Sequence, residues 1–147
     1  MKCVSVRANL VVVLVAVFAL GVVSRAQAQE CSNVSLQGSF GYTSTGALLP
    51  VYAQHFAGPF AEVGRQTFDG SGSTSATATL SANGNIQKVT IQGTYNVNSD
   101  CTGSMTLHVS PLGVTVHADF VIDSSGVELR AIGTDSGAVE SRIYRKQ

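Results

Sequence analysis

The chain has no tryptophan, three prolines, three cysteines and only 12% charged residues. Each shortage excludes something. So few Lys and Arg, with no extended aromatic-basic interleaving, leave no electrostatic footprint for a phosphate backbone, which argues against nucleic-acid binding. There is no GxSxG, HExxH or Walker-type loop, so serine-hydrolase, zinc-protease and P-loop chemistry have no local signature. No CxxC occurs, and no histidine lies near either downstream cysteine, which argues against a redox or metal-binding pair. Asp69-Gly70-Ser71-Gly72 lacks the further spaced oxygen ligands and terminal Glu of an EF-hand and reads as a turn. After residue 28 no stretch carries a convincing helical period.

What is present begins with Met1 to Ala28, which reads as a secretory signal peptide. Lys2 and Arg7 form a positive n-region, Leu10 to Val23 is almost unbroken apolar, and Ala26-Gln27-Ala28 offers a small-residue cleavage site. The apolar run falls short of the roughly 20 residues that cross a bilayer core, so no stable membrane anchor is expected after cleavage. The expected location is secreted or periplasmic, with residues 29–147 as a single domain. Losing Lys2, Arg7 and Arg25 leaves six Lys and Arg against nine Asp and Glu, a formal charge of −3. Cys3 departs with the leader. In an oxidising compartment Cys31 and Cys101 are expected to pair, closing a loop of about 70 residues that contributes roughly 4 kcal/mol in the chain-entropy model. Asn33-Val34-Ser35 matches the glycosylation acceptor pattern.

From Leu36 onward apolar residues recur with a period of two between Gly, Asn, Asp, Ser and Pro turns, the signature of an all-β domain. The inward sets read as Leu36, Gly38, Phe40 and Tyr42; a strand from about Phe60 to Phe68; then Thr74 to Ala82, closed by the hairpin signal Asn83-Gly84. Val89 to Val97, Met105 to Val109 and Val114 to Ile122 follow, and then Val127, Leu129 and Ala131. The last set reads as Val139, Ser141 and Ile143, with Arg142, Arg145 and Lys146 as a solvated basic end. Eight such strands predict an eight-stranded antiparallel up-and-down β-barrel, which removes exposed edges; a two-sheet β-sandwich is the alternative.

The segments Cys31-Ser32-Asn33-Val34-Ser35-Leu36-Gln37-Gly38-Ser39-Phe40, Phe68-Asp69-Gly70-Ser71-Gly72, Gly93-Thr94-Tyr95, Asp100-Cys101-Thr102-Gly103 and Ile132-Gly133-Thr134-Asp135 resemble a family of small secreted bacterial proteins of unassigned function. That family is similar in architecture to the allene oxide cyclase-like and lipocalin-like eight-stranded barrels. The resemblance implies the barrel. No catalytic constellation of the plant cyclases maps onto this sequence residue by residue, so the resemblance carries no cyclase activity with it.

An eight-stranded barrel is either filled by side chains or holds one small ligand. Gly38, Ala76, Ala78, Ala82, Gly93, Ala118 and Ala131 leave room inside, while Phe40, Tyr42, Tyr95 and Phe120 are the large inward residues and so the candidate ligand contacts. The segment Thr45 to Pro59 does not alternate and reads as a long apolar loop, a lid or a plug, carrying His55. If Phe60 and Phe68 face inward, then so do Glu62, Gly64 and Gln66, and Glu62 near Tyr42 or Tyr95 is a candidate general acid or base. If Ala61 and Val63 face inward, Glu62 is a surface charge; a bulge at Gly64 permits both patterns. On the polar face His108 lies diagonal to His117, with Asp119 two residues on, a weak metal-ligand set. No motif calls for a cofactor. The expected function is a secreted barrel that binds a small apolar ligand. The alternatives are an extracellular structural or interaction module, for which Leu48, Leu49, Val51 and Phe56 would supply the patch, and an isomerase or cyclase acting inside the barrel.

Overall fold

The computed structural model describes residues 30–51 and 56–147; the expected signal peptide and His55 lie outside the described residues. Eight strands follow one another: β1 Gly38–Leu48, β2 Gly58–Phe68, β3 Ser73–Ala82, β4 Asn85–Val97, β5 Thr102–Ser110, β6 Val114–Ile122, β7 Glu128–Gly133 and β8 Ala138–Lys146. Each pairs antiparallel with the next and β8 pairs back onto β1, giving a closed up-and-down barrel. A single closed sheet replaces the sandwich alternative. Alternation is the reason it forms. In β3, for example, Thr74, Ala76, Ala78, Leu80 and Ala82 are buried, and the opposite face carries Ser and Thr.

One end is sealed by aromatic packing and by the N-terminal segment. Leu36 belongs not to β1 but to a short 3-10 helix, Asn33–Leu36, and is fully buried. The ring of Phe68 meets Phe40, Tyr95 and Tyr144 edge-on at 5.5, 5.1 and 6.2 Å between centroids. The Tyr95 hydroxyl donates to the Asn33 carbonyl and accepts from the Gly70 amide, tying two chain segments to this end. Cys31 and Cys101 form a disulfide across it. Beside it the Asp69 carboxylate accepts the amides of Ser71, Gly72 and Ser73, so Asp69-Gly70-Ser71-Gly72 is a self-capped turn.

Two expectations about strand limits and facing are corrected. β1 and β2 run further than the alternation suggested, in unbroken register from Gly38 opposite Phe68 to Leu48 opposite Gly58, so their connection shrinks to residues 49–57 and no bulge interrupts Gly64. More consequentially, β8 faces the other way. Val139 and Ile143 are 67% and 47% exposed, while Glu140, Arg142 and Tyr144 are buried. Arg142 is therefore no part of a solvated basic end. Two physical reasons favour this phase. The Tyr144 ring fills the barrel axis against Tyr42 at 5.0 Å, and the two charges inside satisfy one another. In β7, Leu129 and Ala131 point inward as expected, but Val127 precedes the strand and is exposed.

Two mutational outcomes follow from this description. Replacing both Cys31 and Cys101 by Ser should cost about 2–5 kcal/mol in denaturant unfolding while far-UV spectra keep their β signature. Ile143→Lys should change stability by no more than about 0.5 kcal/mol, whereas Tyr144→Ala should cost about 3–5 kcal/mol; the reverse order would mean that β8 faces as its hydrophobicity suggests.

Candidate functional site

The register of three neighbouring strands assembles the site. Ser44 of β1 stands opposite Glu62 of β2 on one side and Arg142 of β8 on the other. One row toward the sealed end, Tyr42 lies between Gly64 and Tyr144; one row toward the other end, Gly46 lies between Phe60 and Glu140. Because residues two apart share a face, this register brings Tyr42, Ser44, Glu62, Glu140 and Arg142 together inside the barrel. All five are buried.

Their hydrogen bonds form two linked pairs. The Tyr42 hydroxyl donates to Glu62 Oε1. Arg142 Nε donates to Glu140 Oε1, which also accepts from Ser44 Oγ at 2.7 Å. The Arg142 guanidinium lies 5.8 Å from the centroid of the Tyr42 ring, so a cation–π contact joins the pairs. Glycines make the room. A Cβ on Gly64 would stand 2.7 Å from Tyr42 Cε1, and one on Gly133 would stand 3.3 Å from Glu140 Oε2.

Burial sets the protonation states. Loss of water pushes the Glu62 carboxyl above its ordinary value of 4.5, assisted by Glu140, while Arg142 and the Tyr42 hydroxyl pull less strongly the other way. Burial and then Glu62 push the Tyr42 phenol above its ordinary range, keeping it a neutral donor. For Arg142, burial opposes the charge, but Tyr144, Glu140 and Glu62 outweigh it and raise the pKa, so the guanidinium stays protonated.

Above this polar belt, away from the sealed end, lies a cavity of about 200 Å3. Leu48, Phe56, Phe60 and Leu80 bound one side, and Val109, Leu112, Val114 and Val116 the other. Glu62, Glu140 and Arg142 contribute its polar wall. The barrel is thus neither wholly filled nor wholly hollow, with an aromatic plug in one half and a space in the other.

The candidate residues fall in different places. Glu62 faces inward with Phe60 and Phe68, on the cavity wall. Tyr42 touches Glu62 from below. Phe40, Tyr95 and Phe120 do not line the cavity; they are large because they fill the sealed half. Leu48 and Phe56 line the cavity, which leaves Leu49 and Val51 as the exposed members of the suggested patch. His108, His117 and Asp119 lie on the outer face, where His117 Nδ1 pairs at 2.7 Å with Asp135 and His108 Nδ1 meets Thr115 Oγ1 at 2.9 Å. Among the described residues no group of three or more His, Cys, Asp and Glu is arranged to hold a metal ion.

Ser44, Glu140 and Arg142 are the site residues that sequence reasoning missed. The spacing Glu140-x-Arg142 was a signal, since residues two apart in a strand share a face. It does not discriminate, because Glu128 and Arg130 have the same spacing and pair at 2.7 Å on the outer surface.

No family model matches the chain, and neither a curated protein nor a solved structure does. The resemblance to lipocalin-like barrels is carried by the eight-stranded closed architecture alone. Among the described residues no helix is long and apolar enough to cross a membrane.

Glu62 makes a pH prediction. A carboxyl whose pKa is raised on folding binds protons more tightly in the native state, so stability falls as pH rises from about 4.5 to the raised value and is level beyond it. Denaturant unfolding of wild type and Glu62→Gln between pH 4 and 8 should show the difference between them shifting against wild type as pH rises through that window. A pH-independent difference would contradict the assignment.

Proposed function

We propose that this protein is a secreted barrel that takes up one small, mainly apolar molecule in the cavity above the Glu62–Arg142 belt. The observation that carries the reading is the combination of apolar walls with a few convergent buried polar groups, the usual composition of a ligand site. Its volume suits a molecule the size of one substituted aromatic ring, since a cavity of roughly 150 Å3 already takes up benzene. The Cys31–Cys101 disulfide supports an oxidising destination, and the charged n-region and apolar run before residue 29 support export.

One observation favours chemistry as a second reading. Glu62 combines a raised pKa, a neutral phenol partner and a place on the cavity wall, an arrangement suited to exchanging a proton with a bound molecule. An isomerase or cyclase reaction would depend on it. Under this reading Glu62→Gln abolishes turnover while leaving the molecule bound.

The binding reading is tested by titrating ethylbenzene and following thermal unfolding. A ligand present at about 100 times its Kd stabilises by about 2.7 kcal/mol, enough to raise Tm by several degrees in a domain of this size. Val116→Phe, which adds volume to the wall, should weaken binding at least tenfold while keeping the β spectrum; unchanged affinity would place the ligand elsewhere.

A further inference from the structure

We infer that the molecule taken up by the cavity is an amine, one basic nitrogen on a mainly apolar body, and that the Glu62 carboxylate is its counterion. This rests on the binding reading above and adds the chemistry of the ligand's polar end. Two observations lead there. The first is a charge count. Glu62, Glu140 and Arg142 are the buried charged side chains among the described residues, so the barrel interior holds two carboxyls and one guanidinium. Arg142 is already committed, with Nε on Glu140 Oε1 and a hydrogen bond shared with Tyr144. Glu62 has a neutral phenol on Oε1 and no ion pair with any described residue. One buried carboxyl is left without a basic group of its own.

The second observation is where that carboxyl is open. Glu62 faces inward with Phe60, is 9% exposed and lines the cavity, so the surface it keeps is cavity surface. Neither Glu62 Oε2 nor Glu140 Oε2 has a hydrogen-bond partner among the described residues, and neither is cut off from water as Gln66 Oε1 and Arg142 Nη1 are. The cavity thus offers a ligand acceptors, and what these lack is a donor. A carboxylate ligand would set oxygen against oxygen and add negative charge to a set already short of positive charge. An alcohol supplies a single O–H and leaves the charge count as it was. An ammonium supplies up to three N–H donors and the one missing positive charge, so it meets both needs at once. Folding has already taken Glu62 out of bulk water, which is what pushes its pKa up, so the attraction gained in the complex is offset chiefly by desolvation of the ligand's nitrogen. Glu140 lies against the Arg142 guanidinium and tempers its repulsion of a second cation. The apolar body then rests on Phe60, Leu80, Val114 and Val116.

Four probes of nearly equal size separate the cases: benzylamine, benzyl alcohol, ethylbenzene and benzoate, each titrated calorimetrically into the purified disulfide-bonded protein at pH 7. Benzylamine should bind roughly tenfold or more tightly than each of the others. Equal affinity for benzylamine and benzyl alcohol, or tightest binding of any other probe, would overturn this inference while leaving the cavity as a binding site. Failure of all four to bind would overturn the binding reading and this inference with it. Glu62→Gln removes the charge and keeps the shape, so it should reduce the preference for benzylamine over benzyl alcohol about tenfold while ethylbenzene binds as before. An unchanged preference in a variant that keeps the β spectrum would overturn the assignment to Glu62 and leave that residue to the proton-exchange reading.

Discussion

Closure of the barrel by the β1–β8 pairing is the constraint on which the rest depends. It aligns Ser44 with Arg142 while the β1–β2 pairing aligns the same Ser44 with Glu62, so one strand brings opposite ends of the chain to a single row. A slip of one residue in either ladder would turn Arg142 or Glu62 out to solvent and Ile143 or Val63 in. The buried charges tolerate their position because the partners are fixed by backbone pairing. Glu140 receives Ser44 Oγ and Arg142 Nε, and Glu62 receives Tyr42. Removing any one partner would leave another charge or donor stranded in the barrel interior, which is far costlier than never having buried the pair.

That constraint also divides the interior by chemistry. Below the polar belt Phe40, Phe68, Tyr95 and Tyr144 interlock edge-on and fill the space, and the 3-10 helix and disulfide cover them. Above it the walls are mostly aliphatic, with Phe56 and Phe60 among them, and leave the cavity. The belt separates a rigid half, which supplies stability, from a half that has room for a ligand. Glycines at 64 and 133 are part of the same design, since a side chain at either would press on Tyr42 or Glu140.

The sequence made most of this legible and concealed the decisive part for a physical reason. Strands β3 to β6 were readable because apolar and polar residues mostly alternate, so one phase buries nearly all the hydrophobic side chains, Ile86 and Val121 being left on the outer face. The facing of Glu62 was readable conditionally, because Phe60 and Phe68 flank it at even spacing. β8 was not readable. A period of two offers two phases, and hydrophobicity selects Val139 and Ile143, whereas the structure buries Glu140, Arg142 and Tyr144. Only the long-range register with β1 decides between them, and no local pattern encodes that register. The large aromatics misled for a related cause: residue size marks what fills a barrel as readily as what touches a ligand.

The cavity, with its apolar wall and polar belt, has the form of a site built for one molecule. The decisive measurement is native mass spectrometry of the protein purified from the cells that make it, followed by unfolding and identification of what is released. One mainly apolar molecule per chain should be released on unfolding and be absent from Val116→Phe protein prepared in the same way. A mass equal to the bare disulfide-bonded chain, with nothing released that the variant lacks, would contradict it.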